Sequence, residues 1–156
     1  MKKYFFLLFN LCFLISFAQQ PTEKELKKHN EKVAQSKAKG TVVLSLDTIY
    51  NSGTPYAVLK MKKKAMIKDY TLLSLTGKEL LEIVEEYIED KSSSTGEQWY
   101  YAFLFLQSGK RGEMEVFIGD KMEKIIVEND LVKDNDINPA GENKFLMKNP
   151  PKFSTK

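Results

Sequence analysis

Three groups of residues in this sequence have types that do chemistry, and each lacks something its chemistry needs. The chain holds one histidine, His29, and one cysteine, Cys12. A nucleophilic triad requires a base that a carboxylate orients and a formed pocket keeps beside its nucleophile. His29 falls instead in a lysine-rich helical pattern, so it reads as a solvated side chain. A zinc site draws three or four ligands mostly from histidine and cysteine, and one of each does not supply them.

The second group is the acidic run of Glu79, Glu82, Glu85, Glu86, Glu89 and Asp90. A carboxylate pair serves a glycosidase when a cleft raises the pKa of one member. Here the acids interleave with Leu81, Ile83, Val84 and Tyr87, which is the spacing of a surface row facing lysines on neighbouring strands. The third group, Asp134, Asp136 and Asn138, has the alternate spacing that opens a calcium loop. Pro139 then stands where that loop needs glycine, and Phe145 where it needs a bidentate glutamate. A turn between helices, with Asn138 capping the second, accounts for the same residues.

Two further sets bear on binding. Gly109-Lys110-Arg111-Gly112 is too short for a phosphate loop, but Lys110 and Arg111 are placed to meet an anion. Trp99, Tyr100, Tyr101 and Phe117 stack on a sugar or peptide if a sheet face is open, and pack as core if helices cover it. The sequence therefore nominates Trp99, Tyr101, Lys110 and Arg111 as surface contacts, and no catalytic residue, metal or cofactor.

The elements that position these residues are organised around Gln98-Trp99-Tyr100-Tyr101-Ala102-Phe103-Leu104-Phe105-Leu106-Gln107. Extended, this stretch puts Trp99, Tyr101, Phe103 and Phe105 on one face and Tyr100, Ala102, Leu104 and Leu106 on the other. Both faces are apolar, the profile of a central strand covered on both sides. Upstream, Thr22-x-x-Glu25 is a capping box opening a thinly amphipathic helix that Gly40 stops. Residues 41–49 and 56–61 read as strands joined by a turn at 50–55, and Lys60 to Lys64 as a charged tip. Residues 66–75 resume strand character.

Residues 78–90 fit two patterns. Leu80, Leu81, Ile83, Val84, Tyr87 and Ile88 have helical spacing behind a second capping box, Thr76-x-x-Glu79. Yet Thr76-Gly77-Lys78 looks like a hairpin connection, and the aromatic strand needs an antiparallel neighbour close in sequence. The strand is preferred; the helical alternative gives a smaller sheet. Beyond the aromatic stretch, Met114, Val116 and Ile118 alternate in a last strand. Asp120 then caps a helix carrying Met122, Ile125 and Ile126, and Asn138-Pro139 opens a second that buries Phe145 and Leu146 before Asn149-Pro150-Pro151. The expected fold is α+β: an antiparallel meander of about five to six strands with an N-terminal helix and two C-terminal helices.

Residues 1–18 have the form of a secretory signal peptide. Lys2 and Lys3 precede an apolar run at 4–17, and Ser16-Phe17-Ala18 is a small-x-small cleavage signal. That run is shorter than the roughly 20 residues a membrane span needs, and Asn10-Leu11 before Cys12 lacks the small residues of a lipoprotein signal. Cleavage removes Cys12 and with it disulfide and thiol chemistry. Without Lys2 and Lys3 the 24 basic residues fall to 22 against 21 acidic ones, a net charge of +1 that calls for neither nucleic acid nor an anionic membrane. The expected organisation is a signal at 1–18, an N-terminal helix or spacer at 19–40, a single α+β domain at 41–150 and a tail at 151–156.

Phe17-Ala18-Gln19, Leu46-Asp47-Thr48-Ile49-Tyr50, Ser74-Leu75-Thr76-Gly77-Lys78-Glu79-Leu80 and Val127-Glu128-Asn129-Asp130-Leu131-Val132 together resemble small exported proteins of Bacteroidetes-type Gram-negative bacteria. The resemblance implies an address in the periplasm or outside the cell and brings no assigned activity. The functional expectation is a non-enzymatic domain that binds a protein, peptide or envelope component through a sheet edge or an exposed aromatic face. The alternatives are a small envelope-polymer hydrolase using acidic residues and a structural assembly subunit.

Overall fold

In a computed structural model, which describes residues 20–64, 67–115, 119 and 121–153, the aromatic stretch forms one strand of a seven-stranded sheet. The chain runs α1 (Glu23–Lys39), β1 (Val42–Ser45), β2 (Thr48–Asn51), β3 (Thr54–Lys64), β4 (Ile67–Leu73), β5 (Glu79–Glu89), β6 (Glu97–Phe105) and β7 (Arg111–Glu115). Then follow α2 (Met122–Glu128), a hairpin of β8 (Val132–Lys133) and β9 (Asp136–Ile137), and α3 (Pro139–Lys148). Strands β1 to β7 lie in sequence order and pair antiparallel, so the fold is an α+β meander. The signal-like residues 1–18, together with Met66, Val116, Phe117, Ile118 and Asp120, lie outside the described residues.

The sheet has seven strands where five or six are expected, because the expected strand at 41–49 breaks into β1 and the start of β2, and β2 and β3 take up most of the expected turn at 50–55, leaving Ser52-Gly53 between them. Leu46 and Asp47 both have positive φ, 47° and 58°, the backbone of a two-residue hairpin turn whose twist matches the flanking strands. Lys60 to Lys64 are no tip either: they lie within β3, with Lys60 opposite Thr71 and Lys62 opposite Asp69. Residues 78–90 are strand β5, which overturns the helical alternative. Helical spacing loses because β4 and β6 flank the segment, Leu81 pairing with Leu72 on one side and Phe105 on the other. The loop before it is held by Ser74, whose buried hydroxyl accepts the amides of Thr76 and Lys78, so Thr76 does not cap a helix.

One sheet face carries Ile49, Leu59, Leu72, Ile83, Phe103 and Phe105, all essentially inaccessible to water. α2 and α3 cover it, with Phe145 of α3 packed 4.5 Å from Phe103 between ring centroids. Each such burial contributes about 1.5–3 kcal/mol. α2 begins after Lys121, which makes no side-chain cap bond. α3 starts as its sequence dictates, Asn138 accepting from the Ala140 amide at 3.2 Å with Pro139 in the first turn. α3 also comes so close to the preceding chain that a Cβ on Gly141 would overlap the Asp130 carbonyl.

The capping box of α1 is formed, Thr22 and Glu25 exchanging bonds, and Gly40 ends the helix at φ 62°. α1 lies against β1 and β2 on the side of Ser45 and Tyr50, opposite the side of Leu44 and Ile49 that faces the core. Its one fully buried residue, Ser36, donates to the Thr41 carbonyl and accepts from the Gly53 amide.

Candidate functional site

Strands β4 and β5 have different lengths, and the difference opens the sheet. The β4 register ends at Asp69 opposite Val84, whereas the β6 register runs on to Glu89 opposite Glu97. Residues 85–89 therefore have a strand on one side, and no described strand on the other. At the fork the Glu85 carboxylate accepts the Lys68 amide at 3.0 Å, a side chain standing where a ladder partner would be. The fork is a groove of about 430 Å³ lined by Ile67, Asp69, Val84, Glu85, Glu86 and Tyr87.

Alternation along β5 gives the groove two chemically distinct flanks. Glu85, Tyr87 and Glu89 point to the helix side, past the part that α2 and α3 cover. Tyr87 is 51% exposed and its ring lies 5.0 Å from that of Trp99, directly across on β6. Trp99 donates its indole N–H to Glu97 at 3.1 Å. Met61, 57% exposed, shares this face through its pairing with Tyr70. Burial, and then the charge of Glu85, hold the Tyr70 phenol above its usual pKa.

The other flank is a hydrogen-bonded cluster that carries Glu86. Glu86 accepts from the Tyr100 hydroxyl at 2.6 Å and from Arg111 at 2.7 Å, and Arg111 also donates to Glu113 at 2.8 Å. Glu113 is fully buried, and its second oxygen accepts the amides of Lys152 and Phe153 at 2.7 and 2.6 Å. Phe153 stacks on Tyr100 with centroids 4.7 Å apart. Burial, reinforced by the bond to Glu86, pushes the Tyr100 phenol up to about 12. Burial works against the Arg111 charge, but Glu86 and Glu113 outweigh it and hold that guanidinium above its ordinary value. Phe153, within the stretch 151–156 that the sequence marks as a tail, is thus part of the fold and closes the face of β6 that carries Tyr100 and Ala102. Leu104 and Leu106 stay exposed, so that face is covered only in part.

The nominated surface contacts do not form one patch. Trp99 borders the fork. Tyr101 does not serve as a surface contact: it is 4% exposed, packed edge-on against Tyr70, because β5 and β7 flank it, Glu85 on one side and Met114 on the other. Arg111 is consumed by Glu86 and Glu113 on the opposite face. Lys110 is at a distant turn, 3.8 Å from Glu142, which also accepts from Ser108. His29 is not solvated: half-buried, its ring lies 3.1 Å from the Ser45 hydroxyl and edge-on to Tyr50, fastening α1 to the sheet.

The acidic run is split between faces. Glu82 and Glu86 point one way, Glu85 and Glu89 the other, and Glu82 lies opposite Thr71, not a lysine. Asp134 and Asn135, at φ 52° and 63°, are the two-residue turn of the β8–β9 hairpin, so the segment is not a plain helix connection. Asp136 bonds Lys78 at 2.7 Å, which holds its carboxyl below the usual range, while Asn138 caps α3 and donates to Asp130. Among the described residues no three histidine, cysteine or acidic side chains are grouped as metal ligands would be. None of the described helices is long and apolar enough to cross a membrane.

Sequence reasoning missed Tyr87, Asp69 and Ile67, the walls of the groove, and also Glu113 and Phe153. The signal for the groove was present: the apolar alternation of β5 is longer than that of β4. No protein-family model, curated protein or solved structure matches this chain.

Proposed function

We propose that this protein is an exported, non-catalytic binding domain of the bacterial envelope that takes an extended segment of a partner onto the free side of β5. The observation that carries the reading is the register: five residues of β5, 85–89, continue past the last β4 pair at Asp69 and Val84. A strand with one free side offers unpaired N–H and C=O groups, the template for strand addition. The two outer edges of the sheet are less available. The Glu113 amide on β7 is taken by the Asn149 carbonyl at 2.9 Å, and β1 is flanked by α1 and α2. The signal-like residues 1–18 support export.

The test is selection from a displayed peptide library on the purified protein, with amide hydrogen exchange to map where the selected peptides bind. The reading expects extended peptides that protect residues 85–89 and lose binding when alternate backbone amides are N-methylated. Protection confined to β1 or β7, or indifference to N-methylation, overturns it.

A further inference from the structure

The chemistry of the fork also selects what can add there. Resting on the reading of β5 as an accepting edge, we infer that the partner is a basic segment of a different protein, with lysine or arginine at every second residue and apolar residues between.

Glu85, Tyr87 and Glu89 point to one face of β5, and Val84, Glu86 and Ile88 to the other. A strand laid along this edge has its own side chains alternate in the same way, each beside a β5 neighbour on its face. On the first face those neighbours are acid, aromatic, acid. Glu89 is exposed, Glu97 lies across from it, and Tyr87 backed by Trp99 is an aromatic platform for a cation. On the second face Val84 and Ile88 are half-buried apolar residues, and Glu86 is neutralised by Arg111 at 2.7 Å. That row favours aliphatic side chains. In the groove Glu85 stands beside Tyr87 on the first face, whereas Ile67, Val84 and Asp69, which already faces Lys62, lie on the second; a lysine or arginine on the first face lays its stem along Tyr87 and brings its charge to Glu85.

The same residues argue against a second copy of the chain. Antiparallel pairing of two β5 edges about Tyr87 sets Glu85 opposite Glu89 twice, and like charges directly opposite are destabilising. The lysines near the fork, Lys62, Lys63, Lys64 and Lys68, stand on β3 and β4, and Lys62 already faces Asp69. The free edge itself, residues 85–89, holds only acidic, aromatic and apolar residues.

The test uses three nine-residue peptides of equal length: alternating lysine and valine, alternating glutamate and valine, and alternating serine and valine. Binding is read from the emission of Trp99, the chain's one tryptophan, with amide exchange locating the contact. The lysine peptide should bind at residues 85–89, more weakly as salt is raised, and the glutamate peptide should not. Replacing both Glu85→Gln and Glu89→Gln, which keeps an acceptor for the Lys68 amide, should weaken the lysine peptide about fivefold and leave the serine peptide unchanged. If the serine or glutamate peptide binds residues 85–89 as well as the lysine peptide, the edge reading stands and the charge inference falls. If no peptide contacts residues 85–89, both fall. A concentration-dependent dimer that protects those residues overturns the argument against a second copy.

Discussion

The backbone amide of Phe153 donates to the Glu113 carboxylate at 2.6 Å, so the last described residue of the chain is anchored on the edge strand β7. The same oxygen takes the Lys152 amide, and Arg111 holds the other oxygen. A buried carboxylate thus has donors on both sides.

Glu113→Gln replaces one acceptor oxygen by a donor NH₂ that must face either Arg111 or the two amides. It should cost about 3 kcal/mol in chemical denaturation, the scale for breaking a buried, charge-assisted arrangement. Phe153→Ala should cost a similar amount, about 3 kcal/mol, by emptying the place against Tyr100. Both act by releasing the same segment, so the double variant should cost less than the sum. Additive losses would show that Glu113 and Phe153 do not act through one docked segment.

Tyr100 gives a pH dependence with a definite sign. Its folded pKa, about 12, lies above the ordinary value of 10.0, so the stability it contributes is fully present below pH 10 and is lost as pH rises towards 12. In Tyr100→Phe that loss is removed, while the other tyrosines titrate as before. The advantage of the native chain over the variant in Tm should shrink between pH 10 and 12. A difference that stays constant over that range contradicts the assignment.

Leu46 is an exposed leucine in a left-handed conformation, φ 47°, at the first position of the β1–β2 turn. Asparagine adopts that backbone with less strain. Leu46→Asn should raise stability by about 1 kcal/mol in denaturant unfolding, and a loss of stability would mean that the leucine side chain packs in a way its exposure does not suggest.

Much of this architecture was legible in residue patterns, and the reasons divide cleanly. The aromatic stretch became β6, the Thr22–Glu25 box opened α1, and Asn138-Pro139 opened α3, because each rests on local stereochemistry or strict alternation. The turns at Leu46-Asp47 and Asp134-Asn135 were hidden because neither contains glycine, the usual sign of positive φ. Tyr101 and Tyr87 show the harder limit. Both are aromatics on neighbouring strands with the same facing, yet one is buried and the other half exposed. What separates them is where β4 stops, a property of how three strands align that no single segment contains. The burial of Phe153 likewise depends on Glu113 forty residues away.

Whether residues 85–89 have a free side is decided by residue-resolved amide exchange of the protein alone and then with the lysine–valine peptide. In the free protein the amides should alternate: those turned towards β6 exchange slowly, those turned towards the fork exchange fast, and the fast ones become slow when the peptide is added. If all amides of residues 85–89 are already slow without peptide, the edge is filled by other means and β5 is not an accepting strand.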